Sequence, residues 1–142
     1  MATVEQILLE KGSELISASP MMTVAQACRK MKEANVGSVI IEVDGTTLGI
    51  FTERDLLARV VAADRNPGTT RLCEVMTAPV LVCEPQDDMD ECAEKFASEH
   101  IRHLVVQDKG EAVGMISLRD ALGAQLAECP PLRRPARRRK AV

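Results

Sequence analysis

The chain has 142 residues and a mass of 15.5 kDa, room for one compact domain or two small fused halves. Apolar residues make up 46% and charged residues 27%, which excludes global disorder, and no apolar run approaches the ~20 residues that cross a bilayer. The net charge of −3 is uneven: residues 130–142 hold six basic side chains and no acid, so residues 1–129 carry about −9. An acidic body with no Trp or Tyr and only two Phe is a poor base-stacking surface, so nucleic acid is not an expected partner except through the tail bases Arg133, Arg134, Arg137, Arg138, Arg139 and Lys140.

The first residues, Met1-Ala2-Thr3-Val4-Glu5-Gln6, show neither a basic leader nor a cleavable apolar run, so export is not expected. Five cysteines (Cys28, Cys73, Cys83, Cys92, Cys129) form no C-x-x-C pair and read as reduced thiols of a cytoplasmic protein. A zinc site drawn from Cys73, Cys83, Cys92, His100 and His103 fits no common zinc spacing, and no metal is expected.

In chain order, a brief helix is predicted over 4–10 and an extended piece over 15–18. A helix over 24–34 follows, with Thr23 as N-cap, Gln26 completing a capping box, and Val24, Ala27, Cys28 and Met31 on one apolar face. Next come a strand over 39–43, an Asp44-Gly45 hairpin turn and a strand over 48–51. A second helix opens at Thr52 and runs through Leu56, Leu57, Val60 and Val61, ahead of a turn-rich linker.

The same order then recurs 65 residues later. A helix over 72–75 and an extended piece over 80–83 precede a helix over 89–99. Asp88 and Glu91 are expected to form its capping box, and Met89, Cys92, Ala93 and Phe96 its apolar face. A strand over 104–107, a Lys109-Gly110 turn, a strand over 113–116 and a helix opening at Ser117 close the second copy. Residues 36–57 fall on 101–122 without a gap, with Gly45 on Gly110, Gly49 on Gly114, and Arg54-Asp55 on Arg119-Asp120. The expected fold is α/β (α+β): two β-α-β-β-α repeats, 7–63 and 72–128, joined by a linker over 64–71 and followed by a basic disordered tail over 129–142. The run Val39-Ile40-Ile41 needs cover on both faces, so the copies are expected to pack sheet against sheet about a pseudo-twofold axis, leaving two related clefts.

The duplicated motif is Gly49-Ile50-Phe51-Thr52-Glu53-Arg54-Asp55 and Gly114-Met115-Ile116-Ser117-Leu118-Arg119-Asp120, or G-h-h-[ST]-x-x-D at a strand-to-helix corner. It reads as a plain helix start, with Thr52 or Ser117 as N-cap and Asp55 or Asp120 near the third helical position. It also reads as a ligand corner. A helix N-terminus offers free N–H groups to a phosphate, and an ionised carboxylate one turn in accepts from a ribose diol. The glycine ahead of each cap admits a close neighbour.

These residues resemble tandem CBS (cystathionine-β-synthase) domains, a Bateman module, over about residues 7–127. The duplicated corner, the strand Ile101-Arg102-His103-Leu104-Val105-Val106 and Glu74-Val75-Met76-Thr77 carry the resemblance, whereas Glu10-Lys11-Gly12-Ser13 departs from it. The resemblance implies a disc-like homodimer with no catalytic activity. It implies regulatory binding of an adenosine-containing ligand (AMP, ADP, ATP or S-adenosylmethionine), with Mg²⁺ left open, and signalling to an effector protein. Carried over by position, one site comprises Thr52 and Asp55 facing Arg102 and His103. The other comprises Ser117 and Asp120 facing the uncharged Val36, Gly37 and Ser38. Only the first is expected to offer a fixed cation, and so to take the more phosphorylated ligand. The alternatives are an interaction or dimerisation module with degenerate pockets, and a basic tail that recruits nucleic acid.

Overall fold

A computed structural model describes residues 2–12 and 14–128; the predicted tail and Cys129 lie outside the described residues. In chain order the elements are α1 (Val4–Lys11), β1 (Ser17–Ala18), α2 (Val24–Ala34), β2 (Ser38–Val43), β3 (Thr46–Thr52) and α3 (Glu53–Asp55), which continues as a π-helix over Leu56–Val61. The second copy supplies α4 (Leu72–Val75), β4 (Val82–Cys83), α5 (Met89–Glu99), β5 (His103–Asp108), β6 (Glu111–Ser117) and α6 (Leu118–Glu128). Each copy builds a three-stranded sheet, β1-β2-β3 and β4-β5-β6, with its first strand pair parallel and its second antiparallel.

Strand alternation sorts the apolar run. Val39 and Ile41 face the helices of the first copy, while Ile40 turns the other way and meets Ile50, Val105 and Met115 between the two sheets. Leu104 and Val106 repeat the inward face in the second copy. The central strands are thus covered on both sides, as the sequence pattern requires. Both hairpins turn through residues with positive φ, Asp44 (50°) and Gly45 (77°), then Lys109 (51°) and Gly110 (81°), which matches the twist of the flanking strands.

The short helices cross over. Val4 and Leu8 of α1 lie in the second copy's core with Met89, Phe96, Leu104 and Ile116. Leu72 and Val75 of α4 lie in the first copy's core with Val24, Met31, Val39 and Phe51. Matching backbone bonds secure both crossings: Val24 N–H to Thr70 O (2.9 Å) and Leu72 N–H to Met22 O (2.9 Å), against Val4 N–H to Asp87 O (2.9 Å) and Met89 N–H to Ala2 O (3.0 Å). Neither copy closes its core without the short helix that opens the other copy.

Two local expectations need correction. Thr23 and Gln26 form their capping box, but Asp88 accepts from Asp90 N–H (2.8 Å) and Glu91 does not bond back. A box there would bring two carboxylates together at one helix end, whereas the Thr–Gln pair is neutral. The helix opening at Thr52 is π-wound after its first turn. Val60, four residues after the half-buried Leu56, is buried in the first core, and Arg59 is exposed.

Gly49 and Gly114 sit where the crossing segments touch the sheets. A Cβ on Gly49 would lie 2.8 Å from Thr77 O, a backbone atom fixed by the Ile50–Thr77 pair of bonds (3.0 and 2.8 Å). A Cβ on Gly114 would lie 2.9 Å from Leu8 Cδ2, the end of a side chain that can rotate away. Gly49→Ala is therefore expected to destabilise the protein by about 1–3 kcal/mol and Gly114→Ala by less. Urea unfolding of the two variants checks the order.

Candidate functional site

Each corner is formed where the last strand of a sheet runs into a helix. At the first, Thr52 Oγ1 accepts from Asp55 N–H (3.3 Å), and Asp55 Oδ2 accepts from Thr52 N–H (3.0 Å) and Thr52 Oγ1–H (3.2 Å). At the second, Ser117 Oγ accepts from Asp120 N–H (3.2 Å), and Asp120 Oδ2 accepts from Ser117 N–H (2.8 Å). Both corners are thus capping boxes closed by Asp, and the helix-start reading holds at each. The ligand reading then depends on what surrounds the second carboxylate oxygen.

The surroundings differ. Asp55 is 6% exposed, and its Oδ1 accepts from Thr77 Oγ1–H (2.9 Å) and lies 3.6 Å from Arg59 Nε. Arg59 also donates to Met76 O (2.8 Å). Both oxygens of Asp55 are therefore engaged. At the second corner Lys11, the last residue of α1, donates to Asp120 Oδ2 (2.7 Å) and to Met115 O (3.0 Å). Among the described residues no hydrogen bond reaches Asp120 Oδ1. A cavity of about 340 Å³ opens beside this pair between α1 and α6, lined in part by Ile7, Lys11, Arg119, Asp120, Gly123 and Ala124. Its size falls within the range of small-molecule sites.

Burial works to raise the Asp120 carboxyl. The Lys11 ammonium and the Ser117 N–H outweigh it and hold that carboxyl below the ordinary aspartate value. Burial lowers the His103 imidazole, overcoming the opposing pull of Asp55, so at neutral pH His103 is an uncharged hydrogen-bonding group and not a cation.

The register places the other sequence-predicted residues. Ser38 pairs with Thr52 and His103 with Ser117, so each lies beside the corner of its own copy. Gly37 O accepts from Glu53 N–H (3.1 Å), and Arg102 O from Leu118 N–H (2.8 Å). Side chains on the inter-sheet face reach across: Ser38 Oγ lies 3.5 Å from Met115 Sδ of the second copy, and Asp55 is foremost among the charges His103 feels. Val36 is half-buried and packs on the first copy's own core, while Arg102 is exposed. The expectation that only the first site offers a fixed cation is corrected by Lys11, which salt-bridges the second site's aspartate. His100 is the left-handed C-cap of α5 (φ 53°), equivalent to Asn35 of α2 (φ 54°).

Sequence reasoning left Thr77, Arg59 and Lys11 unassigned. Thr77 belongs to a motif that was legible, but its partner Asp55 is 22 residues away. Lys11 stands 65 residues before Met76, so the self-alignment held the signal as a charge without a counterpart. Among the described residues no group of His, Cys, Asp or Glu is disposed to hold a metal ion, and no helix is long and apolar enough to cross a membrane.

The CBS domain family matches this chain twice, at residues 4–62 and 72–127. An uncharacterised protein of Methanopyrus kandleri is 34% identical over 112 residues, 77% of this chain, which spans only 57% of that relative's length. The CBS domain-containing protein YhcV of Bacillus subtilis is 29% identical over 81% of both chains. A solved CBS-domain protein of Burkholderia ambifaria superposes with a TM-score of 0.79 at 32% identity, covering 94% of this chain and all of the other. Two more distant structures share the fold and were solved with adenosyl ligands. One, from Pyrobaculum aerophilum, is complexed with AMP (TM-score 0.72, 24% identity, 90% of this chain and 100% of the other). The other, a CBS domain pair, is complexed with 5′-methylthioadenosine and S-adenosyl-L-methionine (TM-score 0.76, 21% identity, 91% and 99%).

A depressed Asp120 carboxyl stabilises the fold at pH values above the unfolded value of about 3.9, and that contribution is lost as pH falls through the folded value. Lys11→Met is expected to move the Asp120 titration upward and to weaken the protein least in acid, where the pair is already broken. Carboxyl-carbon NMR titration of both proteins measures the shift.

Proposed function

This chain belongs to the CBS domain family, and from that premise we propose that it is a regulatory, non-catalytic module that senses an adenosine-containing ligand and passes its occupancy to a separate partner protein. The ligand class is an adenine nucleotide of the AMP, ADP or ATP type, or S-adenosylmethionine. The observation that carries the reading is the second corner. There Asp120, whose Oδ1 takes no hydrogen bond among the described residues, lines a cavity of about 340 Å³ beside Lys11. The Ser117, Leu118 and Asp120 N–H groups are engaged by Asp120, Arg102 and Ser117, so the group this corner offers a ligand is the carboxylate, which suits vicinal ribose hydroxyls. The adenosyl complexes of two proteins with this fold support the choice of ligand class.

On this reading Thr52, Asp55, Arg102 and His103 serve the first site and Ser117 and Asp120 the second; Val36, Gly37 and Ser38 do not line the second corner's cavity, and Val36 and Gly37 line a separate one of about 390 Å³ with Glu53 and Leu56. Each Asp-to-hydroxyl bond to the ligand is worth roughly 1.5–3 kcal/mol. Calorimetric titration with AMP, ADP, ATP, NADH and S-adenosylmethionine is expected to show binding by at least one of them. Asp120→Asn is expected to weaken that binding at least ~10-fold with the fold retained by circular dichroism. Silence across the whole panel overturns the sensing reading.

A second reading, an interaction module, draws support from the closed first corner and from exposed apolar residues. Leu57 (65% exposed) and Val61 (61%) in the first copy match Leu122 (50%) and Leu126 (61%) in the second. The pairs recur at the 65-residue offset, each an i,i+4 exposed apolar pair on the last helix of its copy. We place a homodimer contact on these pairs. The wild type is expected to sediment as a dimer and a Leu57→Glu/Leu122→Glu variant as a folded monomer; equal sedimentation of the two removes the pairs from the interface.

A further inference from the structure

The two corners are related by the repeat, yet their charges are supplied from different places. Asp55 is faced by Arg59, one turn along its own helix, and Asp120 is faced by Lys11, delivered by the crossing helix α1. The position equivalent to Arg59 is Ala124, and the position equivalent to Lys11 is Met76. Each carboxylate therefore has one cation, and the swap changes what else the corner can bind. Where the first copy carries the Arg59 side chain, the second has Gly123 and Ala124, and the cavity opens there.

We propose, building on the adenosyl-sensing reading above, that Lys11 determines the specificity of the second site: its ammonium takes the anionic group of a ligand whose ribose hydroxyls Asp120 accepts, so this corner is the one that prefers a phosphorylated adenosine. An ammonium has three N–H donors. Two are spent on Asp120 Oδ2 and Met115 O, and among the described residues no acceptor takes the third, on a side chain that is 38% exposed. The Met115 carbonyl, part of β6, keeps the ammonium at the corner when Asp120 turns to a ligand. The pair also removes the repulsion an isolated Asp120 would exert on a phosphate. Arg119 adds a second cation to the cavity wall and Glu10 and Glu128 two further acids, all three of them exposed, so Lys11 is the cation placed at the carboxylate itself. At the first corner Asp55 is 6% exposed and both of its oxygens are held by protein groups, so a ligand there must first displace Thr77 or Arg59.

AMP and adenosine differ only in the phosphate and so isolate the role of the ammonium. Calorimetric titration of both into the full chain is expected to give at least tenfold tighter binding of AMP. Lys11→Met, which installs the residue of the other corner, is expected to weaken AMP at least tenfold without weakening adenosine. Lys11→Arg is expected to retain most of the AMP preference, and Asp120→Asn to weaken both compounds. Circular dichroism melts of each variant confirm that the fold is intact. If AMP and adenosine bind the wild type but Lys11→Met leaves their ratio unchanged, the Lys11 assignment falls and adenosyl sensing stands. The assignment falls in the same way if Asp55→Asn, and not Asp120→Asn, abolishes the AMP preference. If neither compound binds the wild type, the assignment falls as well, and the remaining ligands of the panel decide the sensing reading separately.

Discussion

The exchange of α1 and α4 between the copies is the constraint on which the rest of the structure depends. A repeat of about 60 residues has too little interior to be stable alone. Here the deficit is met by lending. Val4 and Leu8 complete the second core, and Leu72 and Val75 the first. Ile40, Ile50, Val105 and Met115 then seal the sheets against each other. Because the loans run both ways, neither repeat can unfold without opening the core of the other. The crossing also sets the chemistry. It lays Thr77 across the edge of β3 and the end of α1 across the edge of β6, which is why residues remote in sequence reach the corner carboxylates. Glycine at positions 49 and 114 is the local cost of that approach.

An aspartate at the third helical position can hold a helix start and still address a ligand, because a carboxylate has two oxygens. In both corners Oδ2 closes the capping box. What distinguishes a structural corner from an available one is the fate of Oδ1. At Asp55 it is taken by Thr77 and approached by Arg59, in a nearly sealed setting. At Asp120 no hydrogen bond reaches it among the described residues, and the residue lines a cavity. The capping and ligand readings of the motif are thus compatible, and the choice between them is made by the neighbours of the motif rather than by the motif itself.

Much of the fold was legible in local pattern. The α2 and α5 bounds, both hairpin turns and the two-sided burial of the central strands follow from cap residues, positive-φ turn residues and apolar spacing, all of which act within a few residues. The crossing of α1 and α4 was not legible, because nothing in Val4, Leu8, Leu72 or Val75 states which core each will enter. The π-winding after Asp55 was hidden for a similar reason. Leu56 and Val60 stand at ordinary helical spacing and carry no mark of the wider turn. At Asp88, like charges undid a box that spacing alone predicts. For the candidate site, Thr52, Asp55, Ser117 and Asp120 could be read from the duplicated motif, whereas Thr77, Arg59 and Lys11 act through contacts the motif does not contain.

Duplication fixes backbone geometry more strictly than it fixes charge. The strand registers of the two sheets match residue for residue at the 65-residue offset, including the irregularity after Ile41 and after Val106. Such matching is expected where every backbone donor and acceptor must be satisfied inside a shared core. Side chains at the corners are under a looser condition. A buried carboxylate needs a compensating charge or donor, but the requirement does not say which element supplies it. One copy meets it from within its own helix, through Arg59, and the other from across the molecule, through Lys11. A cation on the same helix moves with the carboxylate it serves. A cation on the crossing helix is tied to a segment that also fills the core. The pseudo-symmetric scaffold thereby holds two corners of matching strand register whose carboxylates are compensated from different elements.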